Sequence, residues 1–562
     1  MALDRSRPVR GLARLSPRNS TPASMRDVAP FLESDPRTLA AAADGVGIAV
    51  GLCLGAAAVG LGRPSLLVVA ASVGFGAAAL ARGGVLVAAR ARRSRTLGTA
   101  PTIVSRAVLR MRIAPAAEEA AAFAAGTKGR LGDRLADHVG RARGTPSSGL
   151  GTFAEAWRGR FSSLYRSLTL VEAAADAPEG ERDRALDRAM ETIVDGTRDR
   201  ATEAADSLRG PSTAMYAFGV LLPLALVSVL PAAGAAGVEA TLPAIVGIYD
   251  FVLPVGLLCG SGWLLANRPV AFPPAPIDSE VASSPAIYVG AGVGSGLVGA
   301  VAARALLPGW TVTLTAVGVG VGSALVVRYR PVVAVRRRTD ELESALSDAL
   351  YLVGRRVSDG IAVEQAVADA AGELEGIAGE TFRSAARRQR QLRVGVEAAF
   401  VGEHGALEDL PSQRAESTAR LLGMAAGTGA PAGRALVETA DHLDELRRVE
   451  RDARQDLGQV TSTLSNTAAF FGPLIGGATV ALADSVGTTE ALDGSAPETA
   501  GLGIAVGVYV LLMAAILTGL STGLQRGLDR ATVGYRVGIA LCTATVTFLL
   551  AVFATSAVSG GL

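Results

Sequence analysis

The sequence predicts an all-α protein that crosses a membrane about nine times and carries two homologous helical-bundle domains between its spans. Three observations predict this. Hydrophobic residues make up 49% of a 562-residue chain, more than soluble domains usually carry. The apolar residues gather in uncharged runs such as 501–520 and 537–553, long enough for a helix to cross a hydrocarbon core about 30 Å thick. One arrangement of spans and polar segments also occurs twice.

The elements follow in chain order. Residues 1–44 form a polar cytoplasmic tail with Pro and Arg throughout, lacking the apolar core and cleavage-like site of a signal peptide. A transmembrane hairpin, 45–89, holds spans near 45–62 and 66–88, and a first cytoplasmic helical domain occupies 90–211. Spans near 213–231 and 243–265 lie in 212–266, and a cytoplasmic loop fills 267–286. A second hairpin, 287–327, has spans near 287–307 and 311–327 and leads into a second helical domain, 328–465. The last segment, 466–562, holds spans near 467–484, 501–522 and 537–556.

Charge sets the sidedness. Arg90, Arg92, Arg93 and Arg95 follow the second span, and Arg328, Arg330, Arg336, Arg337 and Arg338 follow the sixth. Basic residues beside spans are retained on the cytoplasmic side, so both bundles are expected there. Residues 232–241 and 487–500 contain Glu239, Glu490, Asp493 and Glu498 but no arginine. Nine crossings from a cytoplasmic N-terminus place Leu562 outside the cell.

The second domain shows the clearest helical period. Leu342, Leu346, Leu350, Val353 and Val357 recur at three- and four-residue steps, which predicts a helix over 339–357. Asp340 with Glu343 would cap its start, and Ser358-Asp359-Gly360 signals a turn. A second apolar face at Val363, Ala366, Val367 and Ala370 completes a helical hairpin. A slide of 246 positions lays Ile103, Val104, Ala107 and Met111 on Ala349, Leu350, Val353 and Val357, with Ala114-Pro115 facing Gly360-Ile361. A slide of 253 lays Ala217-Phe218-Gly219 on Phe470-Phe471-Gly472. Each unit has an even number of crossings, so the repeats are parallel rather than inverted.

Reactive chemistry finds little footing. There is no phosphate-binding loop, no His-Glu-x-x-His, no Cys-x-x-Cys and no Gly-x-Ser-x-Gly. Cys53, Cys259 and Cys542 fall in separate apolar runs, and His138, His404 and His442 are scattered through polar segments where solvated histidine is expected. The chain therefore reads as no enzyme, with no cofactor and no metal. A net charge of +2 without a basic, aromatic-laced stripe reads against nucleic acid.

Four features remain. Asp250 is an ionisable residue well inside the fourth span, between Pro243 and Pro254; it reads as a helix-packing aspartate or as part of a pathway. Arg82 and Arg304 lie toward span ends, where a long side chain snorkels. The basic run 383–393, with Arg387, Arg388, Arg390 and Arg393, reads as a solvated or headgroup-facing surface or as a docking patch for an acidic partner. Glycines at 290, 292, 294, 296, 299, 318, 320 and 322 predict close helix approach, within the chain or between copies.

The pattern carried by Leu342, Leu346, Leu350, Val357, Gly360, Ile361, Val363, Glu364, Ala366 and Val367 resembles the signature hairpin of the type II secretion system F domain. The Phe-Phe-Gly-Pro run at 470–473 is also similar to that family. The first copy departs from the pattern at Ala114-Pro115. Two domain copies with extra spans resemble the archaeal type IV pilus platform proteins, and an arginine-rich chain whose one lysine is Lys128 is compatible with that source. The resemblance implies a non-enzymatic cell-membrane scaffold. Its partners would be a cytoplasmic hexameric secretion ATPase, pilin-like subunits, membrane lipid and, in some members, a second copy of itself. A secondary transporter or export permease is the alternative; it predicts inverted repeats and several ionisable groups at mid-membrane.

Overall fold

The computed structural model describes residues 35–60, short runs between 78 and 93, and 96–127, 129–145, 148–235, 241–266, 284–428, 430–487 and 499–559. Among them every regular element is helical. Seven of these helices are long and apolar enough to cross a membrane, and they fall on the last seven expected spans. The expected first span begins on α1, Pro36–Gly60. The second, 66–88, lies largely outside the described residues. Arg82 is not snorkelling alone but forms an ion pair with the buried Asp44 of α1.

The first polar bundle is built from α2 (Ala100–Ile113), α3 (Ala117–Ala125), α4 (Arg130–Ala142), α5 (Leu150–Glu155), α6 (Ser162–Ala173) and α7 (Glu179–Tyr216). In α2 the buried residues Ile103, Val104, Ala107 and Met111 form one stripe, as a 3.6-residue period requires. The helix ends because Pro115 bars the preceding residue from helical backbone, and Ala114 is extended at φ −142°, ψ 111°. Glu179 and Glu181 occupy the first turn of α7, where negative charge favours a helix start.

α7 does not stop at the bundle. It passes Pro211 and continues through a π-helical turn, Ala217–Leu221, into α8, Leu222–Ala235. The next span joins α9 (Leu242–Val246) to α10 (Leu253–Ala266) through a second π turn, Gly247–Val252. Proline has no N–H, so Pro223 cannot give Gly219 O the i→i−4 hydrogen bond of an α-helix. The Tyr509 hydroxyl donates to Gly219 O at 2.9 Å. Tyr249 donates to Pro223 O at 2.9 Å and stands edge-on to Tyr509, ring centroids 5.4 Å apart. In lipid such a satisfied backbone is what permits an interrupted helix.

Two spans, α11 (Pro285–Leu306) and α12 (Thr311–Ser344), precede the second bundle. Here the structure corrects the expected helix start at Thr339. α12 runs unbroken from the membrane through Asp340 and Glu343, because the Arg and Glu residues that follow its apolar part are good helix formers. The break falls at Ala345 (φ −100°, ψ 0°). The bundle continues with α13 (Leu346–Ser358), α14 (Val363–Glu373), α15 (Gly376–Leu392), α16 (Val396–Val401), α17 (Gln413–Thr428) and α18 (Ala430–Asn466). α18 runs on through a π turn, Thr467–Phe471, into α19, Gly472–Gly487. The last spans are α20 (Thr499–Arg526) and α21 (Arg530–Ser559).

Among the described residues both bundles thus contain six helices in the same order of long and short, each ending in a long helix and a π turn. The buried stripe of α2 lies 246 positions before Ala349, Leu350, Val353 and Val357, which are buried in α13. At the membrane entrance the offset differs from the expected 253: the π turns begin at Ala217 and Thr467 and are followed by Pro223 and Pro473, which sets both pairs 250 apart. Backbone geometry and proline, rather than the likeness of Ala-Phe-Gly to Phe-Phe-Gly, govern that register.

Four of the glycines of α11 and α12 serve packing within the chain. A Cβ on Gly292 would meet Gly320 O at 2.8 Å, and one on Gly296 would meet Ala316 O at 2.8 Å. Gly318 and Gly322 lie against α21, where the same atom would meet Thr545 Oγ1 and, at 2.6 Å, Cys542 Sγ. Backbones come this close only where side chains are absent.

Candidate functional site

The hairpin α13–α14 gathers the motif residues. Leu342, Leu346, Leu350 and Val357 are buried in the second bundle's core with Val363, Ala366 and Val367. Gly360 turns the chain at φ +87°, a region glycine enters at little cost. Glu364 is exposed in the first turn of α14, favourably placed for the helix dipole. The hairpin seats on α18 through two facing glycines, since a Cβ on Gly354 would meet Gly433 O at 2.9 Å. Gly360→Val is expected to cost more than about 1 kcal/mol through its positive φ; a wild-type melting temperature for the variant would show the turn to be ordinary.

The four candidate docking arginines cluster at the end of α15. Arg387 and Arg390 are exposed one turn apart, and Arg388 is half-buried and donates to Ser384 Oγ. Arg393 ends the helix in left-handed conformation, φ 54° and ψ 40°, at a position usually given to glycine. Among the described residues no other non-glycine has a positive φ. Leu392 beside it is 58% exposed. Backbone strain of this kind collects at functional surfaces, and here it projects an arginine from a basic, partly apolar tip.

Asp250 lies in the π turn Gly247–Val252 and is half-buried. Its Oδ1 is enclosed and makes no hydrogen bond. The structure therefore does not bring it an arginine or a backbone donor at that oxygen.

A seam between the bundles escaped the sequence reading. α2 lies against α18, with Leu446 and Val449 packed on the first bundle's core and Leu109 and Phe123 on the second's. Arg112, its side chain 6% exposed, forms ion pairs with Asp187 of α7 and Glu438 of α18. Arg106 donates to Phe123 O at 3.1 Å and to Ser417 Oγ at 3.2 Å and lies over the Phe123 ring. Burial, with Arg420 nearby, lowers it to about 10, so it is still charged at neutral pH. The only signal in sequence was arginine on an otherwise apolar stripe of α2.

His442 belongs to this seam rather than to open solvent. Burial first, and then Arg112, hold its pKa below the ordinary histidine value, against Asp187, Glu445 and Asp441. The folded state thus binds fewer protons than the unfolded chain, and stability falls as pH drops through about 6.5. His442→Gln is expected to flatten that fall in melting temperature between about pH 7.5 and 5.5; an equal acid slope in both proteins would remove His442 as its cause.

Among the described residues no three His, Cys, Asp or Glu side chains gather to hold a metal. Fold and site together define a protein whose described regular elements are all helical, with two polar bundles joined to seven helices long and apolar enough to cross a membrane. No family model matches the chain, and no curated protein and no solved structure matches it.

Proposed function

We propose that the protein is the cell-membrane platform of a type IV pilus-like or type II secretion-like assembly machine, coupling a cytoplasmic hexameric secretion ATPase to insertion of pilin-like subunits into a filament. The observation that carries this reading is helix continuity. α7, α12 and α18, of 38, 34 and 37 residues, each join a bundle to a span without a loop. A loop would absorb a displacement applied at a bundle; a continuous helix passes it into the membrane. The like order of helices and the paired π turns support reading the bundles as two copies of one F-type domain. The arginine asymmetry supports placing both in the cytoplasm within a nine-span chain whose C-terminus is outside.

The exposed tip of α15 is the proposed docking surface for the ATPase. Reversing Arg387, Arg388, Arg390 and Arg393 to glutamate is expected to reduce co-purification of a hexameric ATPase and abolish surface filaments while membrane insertion persists. The wild-type association should itself weaken at high salt, as screening removes steering between opposite charges. Undiminished ATPase recovery would overturn the patch, and normal filaments after deletion of the gene would overturn the platform.

One observation favours a second reading, a polytopic secondary transporter or export permease: the enclosed, unpartnered Asp250 oxygen. Loss of ion-coupled uptake in Asp250→Asn with filaments intact would support it.

A further inference from the structure

The first bundle holds a half-open cleft of about 290 Å³ that has no part in the seam or the α15 tip. On α4, Arg134, His138 and Arg141 follow at four- and three-residue steps and so share one face. Asp137 stands beside them, and the turn after α5 brings Trp157 and Arg160 across from them. Trp157 is buried and makes the floor, with the Arg134 guanidinium 5.8 Å from its ring centroid. Phe153 stands edge-on to Trp157 at 6.2 Å and to His138 at 5.7 Å. His138 is further held by a 3.1 Å contact between Nδ1 and Thr152 Oγ1. Arg134 and His138 are thus held against packed aromatic rings, and Arg160 is presented by the turn that carries Trp157.

Charge is the informative property. Three guanidiniums and one carboxylate line the cleft, leaving two positive charges when His138 is neutral. His138 is biased to that form by burial and by Arg141, partly opposed by Asp137. Burial and the nearby Arg160 and Arg130 lower Arg134 as well, so these guanidiniums lie within repulsive range. Like charges focused in a partly enclosed site raise the local concentration of anions and are relieved by one that binds.

We propose that this cleft binds a phosphate dianion, either inorganic phosphate or the phosphoryl group of a small phosphomonoester, with Arg134, Arg141 and Arg160 as its ligands. Guanidinium forks match phosphate oxygens in pairs, and two negative charges balance the lining. The volume is at the lower end for small-molecule sites, which leaves room for only a small organic body. A lipid headgroup would supply the same oxygens but in a phosphodiester with one charge. The cleft is also set away from the membrane. Arg200 of α7 donates to Arg160 O at 2.8 Å and lies over the Phe161 ring. From Arg200 to the foot of its span near Ser212 the helix rises about 18 Å, whereas the headgroup layer is roughly 5–8 Å deep on each side.

The test uses the full chain in zwitterionic nanodiscs, with radiolabelled inorganic phosphate at low salt and near-neutral pH. Saturable binding of one phosphate per chain is expected, weakened at least about tenfold in Arg160→Gln, unchanged in Arg188→Gln on the exposed side of α7, and weaker as salt rises. Arg160 is exposed, so its variant should fold; quenching of tryptophan fluorescence that is lost in Trp157→Phe would place the ligand in the cleft. Absence of saturable binding, or equal affinity in Arg160→Gln, would overturn the site. A second arm replaces part of the lipid with phosphatidylglycerol. Displacement of bound phosphate by that lipid, dependent on Arg160, would assign the site to a headgroup and overturn the soluble ligand.

Discussion

Arg414→Met is expected to destabilise the second bundle by about 3 kcal/mol or more, the cost of leaving a buried carboxylate without its partner. Arg414 joins three helices: it reaches Glu343 near the end of α12 at 3.2 Å and Glu450 of α18 at 3.0 Å from its own place on α17. Ser412 Oγ adds a hydrogen bond to Glu343 Oε1 at 2.6 Å. Burial would lower the Arg414 pKa, but Glu450 and Glu343 outweigh it and hold the value above the ordinary one. Glu450 is the group that suffers, with a side chain 8% exposed. It keeps Arg454 on its other oxygen, which sets the expectation at the lower end of the range. Replacing Arg414, Glu343 and Glu450 together by methionine should recover much of the loss, because an apolar triad removes the charges as well as the pairing. Thermal unfolding in detergent measures both variants. A single substitution as stable as wild type would show that the triad does not bind α17 to the bundle.

What the sequence disclosed followed from periodicity. The stripe Leu342, Leu346, Leu350, Val357 and the turn at Gly360 could be read because a helix repeats every 3.6 residues and a positive φ selects glycine. The last seven spans could be read from the length of their apolar runs. The helix boundary at Thr339 could not, since nothing local distinguishes a helix that leaves the membrane from one that starts outside it. Glu343 near the end of α12 finds its partner Arg414 71 positions away in sequence, which no local pattern shows. The seam was hidden for the same reason. Arg112 and His442 acquire their roles only when α2 meets α18, and a charged residue on a polar helix gives no sign of which partner it will find. Likewise the arginines of 383–393 were visible as a run, but the left-handed Arg393 that aims one of them outward was not.

Gly322→Leu is expected to be among the most damaging changes within the membrane, costing about 3 kcal/mol through overpacking. α12 touches two neighbours on two faces. Gly320 faces α11, whereas Gly322 faces α21, where an added Cβ would meet Gly538 O at 2.8 Å and Cys542 N at 3.2 Å. The approach is mutual, since a Cβ on Gly538 would meet Gly322 O at 2.7 Å. These are backbone atoms on both sides, so no side chain can swing aside, and the two helices must separate along their length. In lipid, separation forfeits van der Waals contact without any gain from hydrating polar surface. α12 is also the helix that continues into the second bundle, so parting it from α21 would disturb the ion pair of Arg336 with Asp529 at its foot. Gly294→Leu on α11 is the control: that glycine is exposed and a Cβ there meets nothing within 4 Å. The first variant should melt well below wild type in detergent and lose the proximity of residues 322 and 538 reported by a cross-link between flanking cysteines, whereas the second should do neither. Equal melting temperatures and equal cross-linking in both would mean that α12 and α21 are not held together by this glycine contact.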